Sequence, residues 1–196
     1  MRLLKQKVNV LTMLILLTSC RIREGSTDGL QLVKVDDKYE VELPNSFTKR
    51  ANLYDEASLQ YANNRSEVFV AIIDEDRDET NDILYEVLKD SLANTSKKAF
   101  LKSFSLNDYF NICKKGWSDA KMMYPAPKEI KKVMINDRPA FVVETTENVN
   151  GNEVYYIVAI LETDKAYYQI FTWTLDSKKD KYSQQMKDII NSFDEL

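Results

Sequence analysis

Residues Met134–Trp173, MINDRPAFVVETTENVNGNEVYYIVAILETDKAYYQIFTW, decide the fold, because no other segment is long and apolar enough to form the middle of a sheet. The stretch predicts three strands: Met134–Thr146, Glu153–Glu162 and Tyr167–Trp173. Asn150-Gly151 and Thr163-Asp164-Lys165 separate them as turns. Because short turns join antiparallel neighbours, we expect an antiparallel sheet.

Paired tyrosines indicate how this sheet is covered. Tyr155 is followed by Tyr156, and Tyr167 by Tyr168. Successive side chains of a strand point to opposite faces, so each strand gives an aromatic residue to both sides of the sheet. This pattern favours a core on each face. An alternative is that the same aromatic residues, with Phe171 and Trp173, line a ligand pocket.

The remaining elements follow from the spacing of apolar residues. Alternation predicts three earlier strands: Lys38–Leu43, Ser58–Ala62 and Glu67–Asp74. Helical spacing predicts three helices: Asn81–Leu92, Leu106–Lys115 (ended by Gly116) and Ser177–Phe193. The apolar stripe of the first helix contains Ile83, Leu84, Val87 and Leu88. The predicted fold class is α+β, an antiparallel β-sheet covered by helices on both faces, as an α/β/α sandwich.

The N-terminus has the features of an export signal. Arg2, Lys5 and Lys7 precede a short apolar run, Val8–Leu17, which is too short to span a bilayer as a helix. Leu17-Thr18-Ser19-Cys20 follows, and the whole resembles a bacterial lipoprotein signal peptide. The resemblance implies cleavage before Cys20, lipidation of Cys20 and an anchor in a membrane, with the outer membrane favoured. An ordinary secretory signal with a coincidental cysteine is the alternative.

The domain organisation follows from this interpretation. Residues 1–19 are expected to be the cleaved signal peptide, and residues 20–35, with Gly25, Ser26 and Gly29, a lipid-anchored tether. Residues 36–196 are expected to form a single globular domain.

Composition excludes several classes of function. The chain has 196 residues, a net charge of −4 and a pI near 5.1, which argues against nucleic acid as a partner. It contains no histidine, which excludes Ser-His-Asp and Cys-His enzymes. With only two cysteines, a mixed Cys/His zinc site is excluded too. We therefore predict no catalytic residue and no cofactor.

The pattern of packing residues resembles the PsbP-like superfamily over roughly Lys38 to Phe193. The matching residues are Leu43-Pro44 with Phe47, Ile135 with Arg138-Pro139-Ala140, Tyr155-Tyr156, Tyr168, and Ile189-Ile190-Asn191-Ser192-Phe193. The resemblance implies an antiparallel sheet sandwiched between helices. It implies binding of partners and no catalysis.

Two polar or aromatic segments are candidate sites. Asp74, Asp76 and Asp78 are spaced like the first ligands of a calcium loop, although Glu79 stands where such a loop needs glycine. The alternative is an acidic loop that leads into a helix, where carboxylates favour the positive end of the dipole. Trp117 with Tyr124, Pro125 and Pro127 is predicted to lie outside regular elements as an exposed contact patch.

Cys113 is the thiol that remains once Cys20 is modified. Its apolar neighbours at helical spacing favour a small buried hydrophobe, and a reactive thiol activated by Lys114 and Lys115 is the alternative.

These features predict a membrane-anchored, non-catalytic lipoprotein of the bacterial cell envelope that acts as a protein-interaction or assembly module with an envelope protein as its partner. The alternative is a carrier or sensor of a small apolar or aromatic ligand held between sheet and helices. A carboxylate-dependent hydrolase is a third possibility, for which no spacing singles out two acids.

Overall fold

The computed structural model of the chain describes residues 29–92, 95–119 and 129–196. Its strands are β1 (Leu30–Val35), β2 (Tyr39–Pro44), β3 (Thr48–Lys49), β4 (Leu59–Asn63), β5 (Val68–Asp76), β6 (Glu129–Ile135), β7 (Arg138–Val149), β8 (Asn152–Glu162), β9 (Ala166–Leu175) and β10 (Asp194–Glu195). Its helices are α1 (Arg77–Leu88), α2 (Lys97–Ser103), α3 (Leu106–Asp119) and α4 (Lys179–Asn191), with 3-10 turns at Lys89–Ser91 and Asp176–Lys178. No helix in these ranges is both long and apolar enough to cross a membrane.

The larger sheet has seven antiparallel strands in the order β3-β4-β5-β9-β8-β7-β6. Strand β9 lies at its centre, where Ile170 pairs with Ile72 of β5 on one side and with Ala159 of β8 on the other. The stretch that begins at Met134 therefore forms one half of the sheet, from the edge strand β6 through β7 and β8 to β9; the prediction that it forms the middle is right for β9 and β8 and wrong for β6.

One face of this sheet carries a core, here called the first core, that is covered by α4 and by a small sheet of β1, β2 and β10. Tyr39 of the small sheet lies with its ring centroid 5.5 Å from that of Tyr168 and 5.4 Å from that of Phe193. Ile157 and Met186 are fully buried beside them. The sequence did not predict that a second sheet shares this face with a helix.

The opposite face carries the second core, which α3 covers together with α1 and α2. Tyr109 of α3 stacks on Tyr167 at 4.0 Å between ring centroids, and Phe110 stacks on Phe141 at 4.6 Å. Tyr155 and Tyr168 belong to the first core, whereas Tyr156 and Tyr167 pack in the second. The predicted α+β sandwich, with its aromatic residues divided between two faces, is confirmed.

The predicted strand Met134–Thr146 is in fact a hairpin of β6 and β7. Asn136 and Asp137 form its two-residue turn, with φ of 43° and 63°. Asparagine and aspartate accept such left-handed conformations, and two of them in succession suit the tight turn of a twisted hairpin. The Asn136 side chain also donates a hydrogen bond of 2.7 Å to the carbonyl of Phe193.

The predicted tether over residues 20–35 extends too far, because Leu30–Val35 is strand β1. It pairs with β2 in antiparallel register from Leu30 opposite Pro44 to Val35 opposite Tyr39. The Gln31 side chain donates to the carbonyls of Pro44 and Phe47 at 3.1 and 2.9 Å. Since Val33 and Val35 also pack against the first core, the folded domain begins before residue 36.

Candidate interaction site

Trp117 is not part of an exposed contact patch. Helix α3 continues through Gly116 to Asp119, so that Trp117 stands two turns after Phe110 on the buried side of the helix. Its side chain is only 5% exposed and lies edge-on to Phe110 and Phe171, at 6.2 and 5.9 Å between centroids. A single glycine costs a helix about 1 kcal/mol, which burial of the indole outweighs. The prediction for Trp117 is wrong, while Tyr124, Pro125 and Pro127 lie outside the described residues.

The acidic run around Asp76 starts a helix. Asp74 at the end of β5 forms an ion pair of 2.6 Å with Lys38, and the Asp76 side chain accepts a hydrogen bond of 2.9 Å from the backbone N–H of Glu79. Asp78 lies in the first turn of α1. Among the residues that the structure describes, no three His, Cys, Asp or Glu side chains gather as metal ligands would. The helix-start interpretation therefore fits Asp76, which caps α1, and Asp78, whereas Asp74 belongs to strand β5.

The cysteine lies in a buried polar cluster beneath α3. Burial raises the pKa of the Cys113 thiol to about 12, so Lys114 and Lys115 do not activate it. Next to it, the Tyr109 hydroxyl donates to the Glu75 carboxylate and accepts a hydrogen bond of 3.1 Å from Gln169. Burial also raises the pKa of Tyr109. These groups satisfy one another, and the prediction of a buried cysteine is confirmed.

One end of the larger sheet carries an open polar depression of about 340 Å³. Two of its residues contact the C-terminal strand β10: Arg138 pairs with Asp194 at 2.9 Å, and Thr163 donates to Glu195 at 2.6 Å. Arg77 and Glu162 lie at its base, 4.0 Å apart at their closest nitrogen and oxygen. The depression carries both positive and negative side chains, which connect turns of the fold to one another. It therefore favours neither an anionic nor a cationic ligand.

Helix α1 presents the most unusual surface. Ile83 and Val87, four residues apart on its solvent side, are 55% and 71% exposed. Four carboxylates at spacings of three and four residues run beside them. We call this set the α1 outer face, and it consists of Glu79, Asp82, Ile83, Glu86 and Val87 of α1 together with Asp90 of the 3-10 turn that follows the helix. An aliphatic pair at helical spacing within an acidic band is typical of a contact surface.

The inner side of α1 explains why the aliphatic pair faces outward. Leu84 packs against the second core, and the Tyr85 ring lies 5.6 Å from that of Phe100 in α2. Asn81 is buried and accepts a hydrogen bond of 2.9 Å from the Tyr167 hydroxyl. These contacts fix the rotation of the helix about its axis. The apolar stripe predicted from sequence is therefore split, with Leu84 turned inward and Ile83 and Val87 turned outward.

Two of the four carboxylates on the α1 outer face are paired with lysines. Lys97 of α2 lies 2.8 Å from Asp82, and Lys89 lies 2.7 Å from Glu86. Glu79 and Asp90 form no ion pair with any described residue. The α1 outer face therefore keeps an acidic character. In the sequence, this surface is indicated by the apolar stripe of the first predicted helix. That stripe contains more residues than contact with a single core requires.

Comparison with known proteins relates the chain to others by fold alone. No family model matches the sequence, and no curated protein matches it. The solution structure of cyanobacterial PsbP (CyanoP) from Synechocystis sp. PCC 6803 is similar, with a TM-score of 0.56, 12% identity, and coverage of 92% of this chain and 99% of that one.

Two further structures are similar at lower scores. A mutant of the protein Mog1 has a TM-score of 0.47 and 9% identity, covering 85% of this chain and 95% of that one. LpqN, involved in cell envelope biogenesis of Mycobacterium tuberculosis, has a TM-score of 0.42 and 10% identity, covering 88% and 87%. The match to PsbP runs through nearly the whole of both chains. This chain therefore has a PsbP-like fold.

Proposed function

We propose that this protein is a lipid-anchored, non-catalytic module of the bacterial cell envelope that binds a partner protein through the α1 outer face. The observation that carries the proposal is the exposure of Ile83 and Val87, which stand at helical spacing on a helix whose other side is packed. When a partner covers such an aliphatic pair, its apolar surface is removed from water. Each Å² removed stabilises the complex by about 25 cal/mol.

The sequence supports the anchoring part of the proposal. Leu17-Thr18-Ser19-Cys20 follows a charged and then apolar N-terminus, in the order of a lipoprotein signal. Acyl chains contribute about 0.8 kcal/mol per buried CH₂, so a multiply acylated cysteine holds a small domain firmly on a membrane. An anchored domain meets its partner at high local concentration, so a modest contact surface is sufficient.

The side chains of the cores support a binding role over storage of a small apolar ligand. On the second-core side, the space between sheet and helix is occupied by stacked aromatic rings, among them Tyr109 on Tyr167 and Phe110 on Phe141. On the other side, Met186 and Ile189 of α4 fill the corresponding space. The carrier or sensor interpretation gains no support from these contacts, and no spacing of acidic residues in the sequence singles out a pair for the carboxylate-dependent hydrolase.

The test combines the anchor with the surface. Cells expressing the full chain with a photo-crosslinking amino acid at Val87 should give one discrete adduct with an envelope protein. The same amino acid at Asn152, an exposed residue at the start of β8, should not give it. Ile83→Asp should abolish the adduct while leaving the amount of folded protein unchanged.

The anchor is tested in the same cells. Labelled palmitate should enter the protein and disappear in Cys20→Ala. A label that persists in Cys20→Ala contradicts lipidation at this residue. No adduct at Val87, or an equal adduct at Asn152, contradicts binding through α1.

A further inference from the structure

We infer that the partner segment seated on the α1 outer face is a cationic amphipathic helix, an inference that rests on the proposed function. The apolar pair Ile83 and Val87 is one helical turn apart, and the carboxylates of Glu79, Asp82, Glu86 and Asp90 recur every three or four residues beside it. A partner must match both the apolar strip and the acidic band along the same axis.

The spacing of these groups selects a helix as the partner. Successive turns of a helix are about 5.4 Å apart, and the members of the α1 outer face from Glu79 to Val87, which lie on α1 itself, repeat with that period. Side chains on one face of a strand are about 6.6 Å apart. A partner strand lying along α1 would therefore no longer place its side chains opposite those of α1 after two contacts. A helix that carries a narrow apolar stripe with Lys or Arg on one flank would place its cations opposite the band, as charged flanking positions do between paired helices.

Helix α2 widens the surface. Lys97 of α2 reaches Asp82, which holds the start of α2 beside α1. Leu101 lies one turn after Lys97 on the same side of α2 and is 40% exposed. Helix α2 therefore adds one further exposed aliphatic side chain to the helix pair, beside the two of α1.

The charge of the surface argues against two other occupants. A second copy of this chain seated on the same face would bring two acidic bands together, and like charges in contact are unfavourable. A membrane of anionic lipids would be repelled by the same carboxylates. A basic helix is attracted to them, and the net charge of −4 of the chain acts in the same direction at longer range.

The experiment uses the full chain with Cys20→Ala and a synthetic 18-residue helical peptide of leucine and lysine as the probe, with a leucine–glutamate peptide of the same pattern as the control. Fluorescence anisotropy should show binding of the lysine peptide alone, weakening at least tenfold between 50 and 300 mM salt because the contact is electrostatic. Ile83→Ser/Val87→Ser should weaken binding about tenfold or more, since both apolar contacts are lost.

Charge position is tested with matched variants. Glu79→Lys/Asp90→Lys should weaken binding of the lysine peptide about tenfold. Asp37→Lys/Glu153→Lys makes the same change in net charge at an exposed turn residue and at an exposed residue near the start of β8, and it should change binding less than twofold. Circular dichroism confirms that each variant is folded. Equal loss in both double variants means that the peptide senses only total charge, and this result overturns the inference.

Other outcomes separate this inference from the proposed function. An adduct at Val87 in cells, combined with no binding of the lysine peptide, overturns the basic-helix partner and leaves the interaction module intact. Failure of the Val87 adduct removes the proposed function whatever the peptide does. A concentration-dependent dimer that Val87→Ser abolishes, measured by light scattering, assigns the surface to self-association and also overturns the inference.

Discussion

Cys113 illustrates how a single residue is controlled by its surroundings. The thiol lies on the inner side of α3 beside the Tyr109 hydroxyl, and burial raises its pKa to about 12. Since only the thiolate reacts rapidly, the native protein should be inert to thiol reagents at pH 8. In the Cys20→Ala chain, Ellman's reagent should report no thiol under native conditions and one thiol per chain in 6 M guanidinium. Rapid reaction of the native protein would show that α3 opens readily.

Glu144 is a second residue whose pKa is set by its neighbours, among them Tyr155. Burial alone would raise the pKa of Glu144, but a hydrogen bond of 2.5 Å from the Tyr155 hydroxyl and an ion pair of 3.0 Å with Lys187 lower it to about 2. A carboxylate with a lowered pKa stabilises the fold above its unfolded pKa near 4.5, and this contribution is lost as the pH falls toward 2.

The predicted variant for this pair is Tyr155→Phe, which keeps the ring and removes the donor. It should lower the free energy of unfolding at pH 7 by about 1.5–3 kcal/mol, the usual effect of a hydrogen bond to a charged group. At pH 3 the difference from the unmodified chain should be smaller, because part of the Glu144 population is then protonated. Urea unfolding at both pH values measures it, and an equal loss at both would show that the ring position matters and the hydrogen bond does not.

At the scale of single elements, α1 separates a packed side from a contact side. Leu84→Ser should lower the free energy of unfolding by about 1–3 kcal/mol, because it removes contacts with the second core. Ile83→Ser and Val87→Ser should each change it by less than about 0.5 kcal/mol, since both side chains are exposed. Urea unfolding of the three variants provides the measurement. A large loss in Val87→Ser would assign the α1 outer face to folding.

Strand β1 provides a second matched pair of substitutions. Val33 packs against the first core, whereas Leu32, its neighbour in sequence, is exposed on the other face of the strand. Val33→Asp should destabilise the domain by at least about 2 kcal/mol, since it places a charge against apolar side chains. Leu32→Asp should have little effect on the unfolding midpoint. If both substitutions were neutral, residues 30–35 would behave as a tether and not as a strand.

The elements also show where sequence patterns are sufficient. Period-two alternation places Tyr155 and Tyr156 correctly because a strand permits only two side-chain directions. A helix permits many rotations, so the pattern in α1 predicts a helix but cannot tell that Leu84 faces inward while Val87 faces outward. The rotation of α1 is held by the hydrogen bond that Asn81 accepts from Tyr167, a residue far along the chain. For the same reason the prediction that Gly116 ends a helix is wrong, since the cost of a glycine is local whereas the burial of Trp117 depends on tertiary contacts.

At the scale of the whole molecule, the two cores share every central strand. Ile157 and Val158 of β8 are neighbours, and both are fully buried, one in each core. We therefore expect the cores to unfold together as one cooperative unit. Ile157→Ala and Val158→Ala should each shift the far-ultraviolet circular dichroism and the tryptophan fluorescence to the same lower urea midpoint. If circular dichroism and fluorescence gave different urea midpoints in either variant, one core would be able to unfold without the other.

The fold as a whole was more predictable than its interaction surface. A buried sheet imposes a dense pattern on many residues, from Phe47 to Phe193, so its presence can be read from the sequence. The α1 outer face depends instead on what the rest of the molecule leaves uncovered. That quantity is set by the docking of α2 and by the orientation of α1, and both arise from long-range contacts.

The central position of β9 has a consequence for how the protein is made. Strand β5 has no neighbour on one side until β9, which lies close to the end of the chain, pairs Ile170 with Ile72. Contacts so distant in sequence form late, after the entropy of closing a long loop has been overcome. A chain emerging from the ribosome cannot complete this sheet until β9 has been synthesised. Until then the edge of β5 that β9 covers stays unpaired, and the two cores that share these strands cannot close around it.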